Sequence, residues 1–159
     1  MTVDTSSVTG PEDNPFELGT DGPSVILVGV DGSDTSLRAG AYAAGLARRQ
    51  RAHLVVLYVA PSYSFSSMLP GVAPLVLQAS EELAEQLRGL VDEASAERGV
   101  SATFRYAHGD PYTEIRRTAE EVRADAVVVG ASSRAGYRFT GSLAVKLVRA
   151  GLWPVTVVP

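Results

Sequence analysis

From residue 24 onward, short apolar runs alternate with longer amphipathic stretches. Residues 24–30 (Ser-Val-Ile-Leu-Val-Gly-Val) form a near-continuous β-branched run, the pattern of a strand buried on both faces. Asp31-Gly32-Ser33-Asp34 then turns the chain, and Ser33 or Asp34 is placed to cap a helix reaching about residue 50. Leu37, Gly40, Ala41, Ala44 and Gly45 form a small-residue stripe on that helix, suited to close approach against a sheet. Residues 53–59 predict a second strand. Residues 60–74 hold Pro61, Pro70, Gly71 and Pro74 and read as a loop, long enough to suggest that it covers a site or meets a partner.

The second half repeats the alternation. Residues 75–98 place Leu83, Leu87, Leu90, Val91 and Ala94 on one helical face, and Gly99 ends the helix. A strand is predicted over 101–107. Asp110-Pro111 is a cap followed by proline at the first helical position, with Ile115, Ala119 and Val122 as the buried face. Residues 126–129 predict a fourth strand, 142–150 a short helix and 155–158 a fifth strand. Such alternation implies an α/β fold, an open five-stranded parallel sheet with helices on both faces. Ligands of such sheets bind at the carboxyl ends of the strands, where the winding reverses. With the first strand central and the second and fourth beside it, that crevice lies between Asp31 and Gly130.

The segment 126–142 carries the most chemistry. An apolar run ends at Gly130, a loop of small and polar residues follows, and Gly141-Ser142 opens the next helix. Unpaired amides and the helix dipole at such a junction make an anion cradle, with phosphate as its natural guest. Gly and Ser are also the ordinary residues of any strand-to-helix turn. Both readings stand at Gly130, Gly136 and Gly141. Asp31 likewise has two readings, as a ligand of ribose or adenine and as a turn carboxylate capping the amides after it. Arg134 and Arg138 suit phosphate pairing or a solvated loop.

Charge divides the chain. The net charge is −4, yet residues 1–23 carry Asp4, Glu12, Asp13, Glu17 and Asp21 with no Lys or Arg, leaving 13 acids against 14 bases beyond them. With three prolines, three glycines and few large apolar residues, the opening cannot by itself bury enough surface to offset its ordering entropy, and it reads as a disordered acidic leader. Residues 24–159 read as one domain whose near-neutral balance lacks the basic face that duplex nucleic acid requires. The absence of cysteine excludes disulfides, thiolate metal sites and cysteine nucleophiles. No apolar run reaches the roughly 20 residues of a membrane span, and no secretory signal pattern opens the chain. The expected location is the cytoplasm.

The residues 28–36, Val-Gly-Val-Asp-Gly-Ser-Asp-Thr-Ser, resemble the opening of universal stress protein domains, including the Asp after the first strand. His108-Gly109-Asp110-Pro111 resembles that family's Gly-x-Pro entry to the third helix, Val128-Val129-Gly130 through Gly141-Ser142 its nucleotide loop, and residues 153–158 its closing strand. The resemblance covers residues 24–159. It implies the strand order 3-2-1-4-5 and a homodimer through the final strand, 155–158. It also implies adenine-nucleotide binding (ATP, AMP or cyclic AMP) by Val30, Asp31, Val59, Gly130, Ser133, Arg134, Gly136, Gly141 and Ser142.

The loop departs from the nucleotide-binding pattern Gly-x2-Gly-x9-Gly-Ser/Thr. Ser133 stands where the second Gly belongs, and seven residues rather than nine precede Gly141. Gly136 and Arg134 are the available compensation, one through backbone freedom and one through charge. Walker and dinucleotide fingerprints are absent. His108 has no accompanying carboxylate–serine set, so no residue is assigned a catalytic role and no metal site is expected. Tyr58, Tyr63 and Tyr137 read as edge packing rather than base-stacking platforms. The sequence therefore reads as a non-catalytic stress-response module binding an adenine nucleotide. The alternative is a homodimeric interaction protein that has lost the nucleotide and signals through a partner.

Overall fold

The computed structural model describes residues 22–62, 72–131 and 143–159. Its elements alternate as β1 (Val25–Val30), α1 (Asp34–Gln50), β2 (His53–Ala60), α2 (Val72–Arg98), β3 (Ala102–His108), α3 (Pro111–Val122), β4 (Ala126–Gly130), α4 (Leu143–Ala150) and β5 (Val155–Val158). The strands make one parallel sheet in the order β3-β2-β1-β4-β5, as the resemblance implies. Most of the acidic leader, residues 63–71 of the predicted loop, and the 132–142 loop lie outside the described residues.

Strand alternation divides the apolar side chains between two cores. Ile26, Val28 and Val30 of β1 face α1 and α2, where they join Ala39, Ala43, Leu87 and Val91. Leu27 faces the other way, with Val55, Leu57, Val127 and Val129, toward α3, α4 and Trp153. β1 and β4 are buried from both sides, which is why their sequences lack a polar alternation.

Two expectations need correction. The second long helix begins at Val72, inside the predicted 60–74 loop. Pro74 permits this because it falls in the first turn, where the missing N–H would have had no helical acceptor. The buried helical faces are also rotated. α1 buries Ser36, Ala39, Ala43, Ala44 and Ala47, leaving Leu37 and Ala41 exposed. α2 buries Ser80, Ala84, Leu87 and Val91, leaving Leu90 exposed. Tertiary seating, rather than periodicity alone, decides which side of an apolar stripe meets the sheet.

Backbone satisfaction at the element ends follows the sequence closely. Asp110 Oδ1 accepts the Thr113 amide at 3.0 Å and the Thr113 hydroxyl at 2.9 Å, capping α3 ahead of Pro111. The Asp125 carboxylate accepts the amides of Ser24 and Val25 at 2.7 and 2.8 Å. It thereby clasps the start of β1 to the start of β4. Among the described residues no helix is long and apolar enough to cross a membrane.

Candidate functional site

The winding reverses between β1 and β4, and a cleft of about 310 Å³ opens at their carboxyl ends. Val30 and Asp31 line one side, Val129, Gly130 and Ala131 another, and Leu57 and Val59 of β2 a third. The first residues of α1, α3 and α4 complete the lining through Thr35, Ser36, Pro111, Leu143 and Ala144. Three helix amino ends therefore converge on one opening. Each contributes partial positive charge and amides without helical acceptors. An apolar floor beneath a few polar groups, with this volume, is the ordinary build of a small-molecule site.

The polar corner is a closed set of hydrogen bonds. Asp31 Oδ1 accepts the Ser33 amide at 3.0 Å and the Ser33 hydroxyl at 2.6 Å. Ser33 Oγ accepts the Ser36 amide at 3.3 Å, which makes Ser33, rather than Asp34, the cap of α1. The Ser36 hydroxyl donates to the Ser33 carbonyl at 2.9 Å and accepts the Asp31 amide at 3.1 Å. Partial burial pushes the Asp31 carboxyl up. The hydrogen bonds from Ser33 and Ser36 together outweigh it and hold the pKa below the usual carboxylate value. Asp31 is thus an ionised group fixed at the cleft wall. It fills the turn-carboxylate role while facing the crevice.

Gly130 has a reason of its own. A Cβ at this position would lie 2.7 Å from the Ser36 backbone nitrogen and the Thr35 carbonyl carbon. The end of β4 and the first turn of α1 touch backbone to backbone, so only glycine fits. Gly29, one strand away, is similarly filled, its Cβ position lying 2.9 Å from Ile115 Cδ1.

Of the residues expected at a nucleotide site, Val30, Asp31, Val59 and Gly130 line the one cleft. Ser133, Arg134, Gly136, Gly141 and Ser142 fall outside the described residues, as do Arg138, Tyr63 and Tyr137. Tyr58 points to the opposite face and stacks on Tyr106 with ring centroids 5.5 Å apart. His108 leans against Tyr106, with ring centroids 4.7 Å apart. Sequence reasoning assigned no ligand-facing role to Ser33, Ser36, Leu57 or Ile115. The strand register carried a signal for Leu57, which lies two residues before Val59 and therefore on the same face.

The likeness to known proteins points the same way. The family model described as the universal stress protein family matches residues 24–159. Universal stress protein YxiE of Bacillus subtilis is 32% identical over 143 residues, covering 84% of this chain and 97% of that protein. The structure of universal stress protein UspA from Lactobacillus plantarum superposes with a TM-score of 0.70 at 23% identity, covering 86% and 97% of the two chains. A universal stress protein solved in complex with cAMP matches with a TM-score of 0.61 at 26% identity, covering 86% and 97%. The sheet order, the cleft at its reversal and these matches together place the chain in the universal stress protein family.

Proposed function

We propose that this chain is a non-catalytic stress-response module whose cleft binds an adenine nucleotide. The observation that carries the reading is the convergence of the Asp31 carboxylate and three helix amino ends on one crevice of about 310 Å³. Leu57, Val59 and Ile115 form the apolar walls for the base, with Val30 bounding the cleft at the end of β1, and the Asp31 carboxylate accepts from ribose hydroxyls or the adenine amine. Gly130, Ser133, Arg134, Gly136, Gly141 and Ser142 supply the phosphate cradle. The likeness to a family structure holding cAMP supports an adenine ligand. ATP, AMP and cyclic AMP are the candidates. The module acts in the cytoplasm as a homodimer joined through the outer edge of β5.

Replacing Gly141 with valine tests the cradle. The added side chain obstructs the phosphate and restricts the loop backbone. Loss of two charge-assisted hydrogen bonds, each worth roughly 1.5–3 kcal/mol, weakens AMP binding at least about tenfold. Adenosine binding, which needs no phosphate, changes much less. Equal losses for AMP and adenosine would contradict the assignment of the cradle.

A second reading has one observation in its favour. Ser133 and the two-residue shortening alter the loop that would hold the phosphates. In that reading the protein is a homodimer that signals through a protein partner without nucleotide.

A further inference from the structure

α1 and α2 cover the same face of the sheet but leave an apolar groove of about 360 Å³ between them. Its walls include Leu37 and Ala41 on α1 and Leu87 and Leu90 on α2, above Val56 of the sheet. Leu37 is 40% exposed and Leu90 52%. These two leucines and Ala41 belong to the stripes that helical periodicity assigns to a buried face. Leu37, Ala41 and Leu90, left outside the core, thus line this groove. Their pattern is that of a covered surface.

The neighbouring chain start and its charges indicate what covers it. The groove reaches the amino edge of the sheet at Arg98, Val100 and Ala102. The described chain starts at the same edge. The Cβ position of Gly22 lies 2.6 Å from the Gln50 side chain at the end of α1, and Ser24 is held by Asp125. Arg48, Arg49 and Arg51 end α1 and Arg98 ends α2, and none has an ion-pair partner among the described residues. Residues 1–21 bring five carboxylates, no Lys or Arg, and the apolar Phe16 and Leu18. Leu18 and Phe16 precede Gly22 by four and six residues, a reach of about 13–20 Å in an extended chain. Ala41 lies ten residues along α1 from Arg51, about 15 Å at the helical rise.

We propose that the groove between α1 and α2 is the docking site of the chain's own segment 1–21. Phe16 and Leu18 seat against Leu37, Ala41 and Leu90, and the acids face the arginines at the amino edge. This segment carries few large apolar side chains of its own. The groove supplies the missing half. Glu93, the acid on the lining, disfavours carboxylates at mid-groove and leaves that stretch to the apolar side chains.

The cysteine-free chain allows a clean test. Full-length Gly19→Cys protein carries a nitroxide label, and amide signal loss is read by NMR. The amides of Leu37, Ala41, Leu87 and Leu90 should lose more than half their intensity, while those of α3 on the opposite face keep theirs. Adding Phe16→Ser and Leu18→Ser to the labelled chain should restore the signals, as should the separate variant Ala41→Glu at an already exposed position. Molar salt should restore part of the loss by screening the arginine contacts. Signal loss confined to residues beside Gly22, or shared equally by both faces, would overturn the proposal. So would equal loss at the groove in an isotope-enriched, unlabelled chain mixed with label-bearing chain, which would assign the groove to a second copy.

Discussion

Gly130 and Ser36 meet backbone to backbone, with 2.7 Å separating the Ser36 nitrogen from where a Gly130 Cβ would stand. This contact joins the end of β4 to the first turn of α1 and so fixes the two walls of the cleft relative to each other. Gly130→Ala should therefore destabilise the domain by about 1–3 kcal/mol, the usual cost of overpacking. Thermal denaturation measures it. An unchanged melting temperature would show that the two backbones separate freely.

Acid should act through the same corner. The folded pKa values of Asp31 and Asp110 lie below their ordinary values, Asp31 through the bonds that outweigh its burial and Asp110 chiefly through the Thr113 amide and hydroxyl. A lowered folded value means that stabilisation is complete above the unfolded pKa of about 4 and is lost as pH falls through the folded values. Urea unfolding of wild type should thus weaken as pH falls below about 4. Asp31→Asn should show a shallower decline over that window. A slope identical to wild type would remove Asp31 from the linkage.

The proposed homodimer is joined through the outer edge of β5. Val127 and Ala131 donate to the carbonyls of Pro154 and Val158, so by the alternation of a parallel ladder the Val157 amide points away from β4. Val157 is also 42% exposed. An apolar edge of this kind invites pairing, and a two-fold contact through it would close it. Light scattering of wild type should give about twice the 16.7 kDa chain mass. Val157→Pro, which removes the outward donor and is tolerated on an edge strand, should give the monomer. A wild-type monomer would contradict the dimer.

The architecture was legible because both its signals are local. β-branched runs such as 24–30 mark the buried strands, and Asp110-Pro111 announces a helix start through its own side chains. The Asp31–Gly130 crevice followed from topology, since reversal beside the first strand brings those two turns together. Helix orientation was not legible to the same degree. Leu37 and Leu90 are apolar and correctly spaced, yet the sheet accepts the faces centred on Ala43 and Leu87. The choice depends on how closely each helix can approach the strands, which is a property of both partners. The early start of α2 was hidden by Pro74, whose meaning depends on its place within a turn. Nor did the sequence distinguish Gly130 as a phosphate glycine from Gly130 as a packing glycine. The steric reason lies 94 residues away along the chain, at Ser36.

The central claim is that the cleft binds an adenine nucleotide, and calorimetric titration of the wild-type chain tests it most directly. With ATP, AMP and cyclic AMP titrated separately, at least one should bind once per chain with submillimolar affinity, and Asp31→Ala should weaken that binding about tenfold or more through loss of a charge-assisted contact. No binding heat from any of the three at millimolar nucleotide, with the protein folded, would contradict the claim.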